Sequence, residues 1–169
     1  EKTIVELPRD LPDVSAIRGT LIAASVGVIR DRGLSDAYYE RLPEAHHAAI
    51  REVIPQSWVP VEHALAHYAV MDSLVPGLAE HVRLGRGTAD RVQRSYLHTI
   101  TRALKSTGAV TPLTPFARVD RIWARTFQGG PAGVWQTGPK AVLVEGPRVP
   151  LRRSAHFRHG GQGARPRAC

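Results

Sequence analysis

The chain has 169 residues, which is one domain or at most two, and at that length about 70% of the unfolded surface can be buried without a metal or disulfide staple. Hydrophobic residues are 43% and charged residues 22%, which excludes wholesale disorder, and no apolar run approaches the ~20 residues of a membrane span. The net charge of +8 is concentrated at the end: residues 146–169 hold Arg148, Arg152, Arg153, Arg158, Arg165 and Arg167 and no acid, so residues 1–145 carry only +2, and the single cysteine, Cys169, excludes an internal disulfide and a four-cysteine zinc site.

Residues 1–14, with Pro8 and Pro12, read as an extended lead-in. Ile17, Leu21, Ile22 and Ile29 then recur at helical spacing up to Gly33. Ser35 is placed to cap a short helix through Tyr39. Leu42-Pro43-Glu44 marks another helix start with proline in the first turn, and Ala48, Ala49, Ile50 and Val53 give it an apolar face. The run from Pro55 to Pro60 breaks that helix around Trp58.

Val61, Leu65, Tyr68 and Leu74 form the next helical stripe, which stops at Pro76-Gly77. Leu78, Val82, Ala89, Val92, Tyr96, Ile100 and Leu104 mark one long helix or two joined at Gly85-Arg86-Gly87. Thr88 is then expected to cap the second segment, and Gly108 to close it. Thr114-Pro115 opens a further helix, with Phe116, Val119, Trp123 and Phe127 inward, ending at Gly129-Gly130-Pro131.

Val134–Thr137, Gly138-Pro139-Lys140 and Ala141–Val144 then read as strand, turn, strand. The expected fold is α+β: five or six helices in an N-terminal layer, followed by a small antiparallel sheet. Residues 15–150 form its single domain, and residues 151–169 form a basic tail, flexible or truncated.

Eight histidines invite metal or haem readings. His63 and His67, four apart on a helix, share a face and are the pair best placed to chelate a transition ion. The order Glu62-His63 reverses the zincin motif, and no third ligand accompanies the pair. His46 and His47 are adjacent, face different directions and are expected to be solvated. His81 and His98 lie on later helices, where a lone imidazole is a candidate haem ligand.

The sequence holds no Gly-x-Ser-x-Gly elbow and no visible nucleophile or acid–base set, so it favours a binding module over an enzyme. Trp58, between two prolines, pins a loop or walls a pocket. The arginines of the tail, Arg148, Arg152, Arg153 and Arg158 first among them, are candidate phosphate contacts for a nucleic acid. With no membrane span and no signal region, the chain is expected in the cytoplasm.

The order of several short motifs resembles a paralogous family of uncharacterised proteins abundant in myxobacteria. These motifs are Ile17-Arg18-Gly19, Leu42-Pro43, Ile54-Pro55-Gln56-Ser57-Trp58-Val59-Pro60, Leu84-Gly85, Ile122-Trp123, Gly129-Gly130, Gly138-Pro139-Lys140, Pro150-Leu151 and Phe157-Arg158. They span residues 15–160, and the resemblance transfers no catalytic residue. The layout is also remotely similar to haem–nitric-oxide-binding and 4-vinyl-reductase ligand-binding domains, although their Tyr-x-Ser-x-Arg propionate clamp has no counterpart here.

That likeness implies a sensory or regulatory module that binds a small apolar ligand or a protein partner, with a pocket near Trp58, Tyr68, Tyr96 and Trp123. A haem-dependent gas sensor using His81 or His98 and a nucleic-acid-binding tail are the alternatives.

Overall fold

The computed structural model describes residues 2–7, 12–92, 116, 119–130, 132–138, 141–145, 151 and 154. Its architecture is α+β. The helices are α1 (Gly19–Asp31), α2 (Ser35–Arg41), α3 (His47–Arg51), α4 (Val61–Leu74), α5 (Leu78–Val92) and α6 (Val119–Thr126). A 3₁₀ turn, Glu44–His46, precedes α3. The strands are β1 (Lys2–Val5), β2 (Ala16–Arg18), β3 (Trp58–Pro60), β4 (Phe127–Gln128), β5 (Gly133–Gly138) and β6 (Ala141–Glu145). No helix among the described residues is long and apolar enough to cross a membrane.

The strands form two antiparallel sheets, ordered β1-β5-β6 and β3-β2-β4. The expected hairpin is present, with Trp135 opposite Leu143 and Gly138 opposite Ala141. The lead-in supplies a third strand to it, with Thr3 opposite Trp135. A lone hairpin is marginal in water, and the added strand meets that need.

The second sheet lies outside the expected layout of helices first and sheet afterwards. Its strands are two or three residues long and come from distant parts of the chain. In β2, Ile17 faces Val59 on one side and Phe127 on the other. Ile17 is fully buried, and Val59 and Phe127 are nearly so. Backbone bonds extend the pairing: Ser15 N–H donates to Gln128 O at 2.9 Å and Val61 N–H to Ser15 O at 2.8 Å. Since β2 runs into α1, β3 into α4 and α6 into β4, this small sheet fixes where three helices start or stop.

Arg18 ties the same junction together. Its guanidinium lies 3.9 Å from the centroid of the Trp58 ring. Its Nε donates to Arg125 O at 3.0 Å and a terminal nitrogen to Gln56 O at 2.7 Å. The planar, five-donor head of arginine suits this double role of stacking and carbonyl binding.

Helix α1 ends where the sequence places its stop, with Gly33 at φ 68°. Helix α4 spans the expected stripe, but its buried side is Ala64, His67, Tyr68, Val70 and Met71, while Leu65 is exposed. Ser35 opens α2 without a side-chain capping bond, and Leu34 stands at the cap position.

The expected break at Gly85-Arg86-Gly87 is absent, and α5 runs unbroken through it. A Cβ on Gly87 would lie 3.1 Å from the Val28 side chain. The glycine serves close packing of α5 on α1 rather than a turn. Thr88 accordingly does not cap: its Oγ1 donates back to Leu84 O at 3.1 Å inside the same helix. Phe127, expected at the end of the last helix, instead forms β4 after α6 has ended at Thr126.

The core gathers Ile17, Ile22, Ile29, Tyr38, Ile50, Met71 and Leu84 around α1, α2 and α4. Leu151, at the head of the basic tail, is fully buried in it. Ser154 follows with its Oγ 3.0 Å from Asp72 Oδ1.

Candidate functional site

Among the described residues, the most elaborate polar arrangement in the interior is centred on His67, midway along α4. Its Nε2 lies 2.6 Å from Ser25 Oγ on α1, and its Nδ1 lies 2.6 Å from the Tyr38 hydroxyl on α2. None of the three side chains is exposed. Three helices thus meet on one imidazole.

The proton positions follow from what each atom can do. Ser25 Oγ sits 3.1 Å from Leu21 O and 2.9 Å from Ile22 O, so its hydroxyl donates to those carbonyls. Its lone pair therefore accepts from His67 Nε2–H. Nδ1 is left as an acceptor, and Tyr38 O–H donates to it. Burial pushes the Tyr38 phenol well above its ordinary value, which keeps the donated proton in place. Burial does the same for Tyr68, the next residue on α4.

Serine beside histidine is a nucleophile arrangement in many hydrolases. Here the serine proton points to main-chain carbonyls and not to the imidazole, and neither side chain reaches solvent. The arrangement joins helices; it does not activate an oxygen toward a substrate.

His63 and His67 have different partners, although one helical turn separates them. His63 turns to His46, with Nδ1 to Nδ1 at 2.8 Å. His47, beside His46, donates from Nε2 to Leu42 O at 2.7 Å. Both histidines of that adjacent pair are half-buried and bonded, against the solvation expected of them. Among the described residues no group of three His, Cys, Asp or Glu side chains is placed to hold a metal.

His81 is buried on α5, and its Nδ1 has no partner among the described residues. Tyr96, His98, Arg148, Arg152, Arg153 and Arg158 lie outside the described residues.

The three remaining pocket candidates occupy different settings. Trp58 is half-buried on β3 under the Arg18 guanidinium. Tyr68 is in the core, its ring centroid 4.9 Å from that of His67. Trp123 on α6 lies against Phe127, with ring centroids 4.6 Å apart.

The Trp123–Phe127 pair walls a cavity of about 230 Å³, together with Asp120, Ala124, Gly129 and Ala132. Gly129 and Gly130 both take positive φ, which turns the chain sharply from β4 toward β5 beside this space. The Trp123 indole nitrogen is buried without a hydrogen-bond partner among the described residues. A larger, open hollow of about 680 Å³ lies alongside the α1–α5 contact and is charged, lined by Asp31, Arg32, Arg83, Asp90 and Arg91 beside Val28 and Gly87. His81 walls neither space.

The Trp123 site was partly legible, because the sequence marks Trp123 and the glycine pair next to it. The Ser25–His67–Tyr38 set was not, since Ser25 carries no motif and each member lies on a different helix. No known family model, curated protein or solved structure matches the chain.

Proposed function

We propose that this protein is a non-enzymatic sensory or regulatory module, and that it binds a small apolar molecule in the cavity beside Trp123. The observation that carries this reading is the wall chemistry: two aromatic rings in tilted contact, two alanines and a glycine, with Asp120 as the single charged group among the described lining residues. Ligand sites are mostly apolar, with few polar groups to fix orientation. An apolar cavity of about 150 Å³ already admits benzene, so this one suits a one- or two-ring molecule. The proposed likeness to ligand-binding sensory domains points to the same class of function.

The test is titration of the full chain with benzene, indole and naphthalene, followed by calorimetry and by chemical shifts of the Trp123 ring. Saturable binding of at least one probe is expected, with the largest shifts at Trp123 and Ala132. Ala132→Leu, which fills the space from a buried position, should abolish that binding. If no probe binds, or if Ala132→Leu binds as the parent does, the reading fails.

A further inference from the structure

His46 closes the 3₁₀ turn, and His63 lies in the first turn of α4. Their rings stand at 81° with centroids 5.0 Å apart, and their Nδ1 atoms are 2.8 Å from each other. Two ring nitrogens can meet this closely only if one carries a proton and the other a lone pair. The contact is therefore a two-nitrogen site holding a single proton, between two half-buried rings.

A metal ion is the other cation that two facing imidazoles accept. A metal–nitrogen bond of about 2.0 Å puts neighbouring ligands of a square plane about 2.8 Å apart, and neighbouring ligands of a tetrahedron about 3.3 Å apart. The observed 2.8 Å is the hydrogen-bond spacing and lies close to the square-planar one, so the two rings reach such an ion by turning about their side-chain bonds rather than by moving apart. Square-planar and tetragonal geometry with nitrogen and oxygen ligands belongs to Cu(II) and Ni(II), whereas Zn(II) prefers the tetrahedron. The turn also holds its own shape, since His46 N–H donates to Pro43 O at 2.9 Å, so little backbone ordering is left to binding.

We propose that His46 and His63 form a two-imidazole binding site for a divalent transition ion of tetragonal preference, Cu(II) or Ni(II). The ion takes the place of the shared proton, which passes through solvent to Nε2 of the same ring so that both ligands remain neutral imidazoles, and the remaining equatorial ligands are water. Among the described residues no third His, Cys, Asp or Glu completes the set, which makes this an open, exchangeable site. Because one ligand lies on the turn and the other on α4, the bound ion clamps the turn to the helix. This inference is independent of the cavity beside Trp123.

The test is calorimetric titration of the full chain at neutral pH with Cu(II) and with Ni(II), alongside thermal melts. His46→Ala and His63→Ala should each lose the same equivalent of ion, and the double variant should lose no more than either. His47→Ala, at the neighbouring histidine, should keep it. Should either alanine variant fail to fold, His46→Asn and His63→Gln retain a hydrogen-bonding side chain and remove the imidazole ligand. The Cu(II) electron paramagnetic spectrum should show coupling to two nitrogens that falls to one in either single variant. Unchanged stoichiometry in both single variants, or loss in His47→Ala of the same equivalent, overturns the proposal.

Discussion

His67 Nε2 lies 2.6 Å from Ser25 Oγ, and neither side chain is exposed. The contact joins α4 to α1, and the opposite nitrogen of the same ring joins α4 to α2 through Tyr38. One imidazole therefore sets the relative position of three helices. Breaking one buried hydrogen bond costs about 1–3 kcal/mol, because the group left behind has been taken out of water. Ser25→Ala and Tyr38→Phe should each lower the unfolding free energy by about that amount in urea titrations. Both act through one ring, so the double variant should lose less than the sum of the two. Strict additivity would show that the two contacts are independent.

Alkaline conditions should expose the same region. Tyr38 and Tyr68 are held protonated in the folded chain by burial, far above the value of an exposed phenol. A folded-state value raised in this way stabilises the protein fully below the unfolded value of about 10. Above it the unfolded phenols ionise and the folded ones do not, so stability falls by about 1.4 kcal/mol per pH unit for each of the two. Melting temperature should hold steady across the neutral range and drop steeply past pH 10. Tyr68→Phe should make that drop shallower. An equally steep drop in the variant would assign the sensitivity elsewhere.

Two glycines separate steric need from conformational need. A Cβ on Gly19 would clash with Ile54 O, a main-chain atom that cannot swing aside. Gly19→Ala should therefore push the 53–57 loop off the start of α1 and cost about 1–3 kcal/mol, the range for overpacking a tight contact. Gly33 has φ 68° with open space around its Cβ position. Gly33→Ala should cost about 1–2 kcal/mol from backbone conformation alone, and Gly33→Asn less, since asparagine tolerates that region. Paired thermal melts of the three variants check this, and equal costs for the two Gly33 variants would rule out the conformational account.

Local patterns in the sequence determined the elements that depend on neighbours in the chain. Periodic apolar residues with a stop at Gly33 or at Pro76-Gly77 were enough to place α1 and α4, and the Gly138 turn was enough to place β5 and β6. Helices and hairpins close through short-range bonds, so their signals lie within a window of the sequence.

Tertiary structure alone decided what depends on distant partners. Strands of two or three residues, such as β2, β3 and β4, carry no readable alternation, and their partners lie in distant parts of the chain. Gly85 and Gly87 look like a break until α1 is seen lying against Gly87 in an unbroken helix. His63 and His67 share a helical face, but the elements on either side draw them apart, one to His46 and the other to Ser25 and Tyr38. A histidine's chemistry follows from which atoms meet its two nitrogens, and those atoms lie 17 to 42 residues away along the chain.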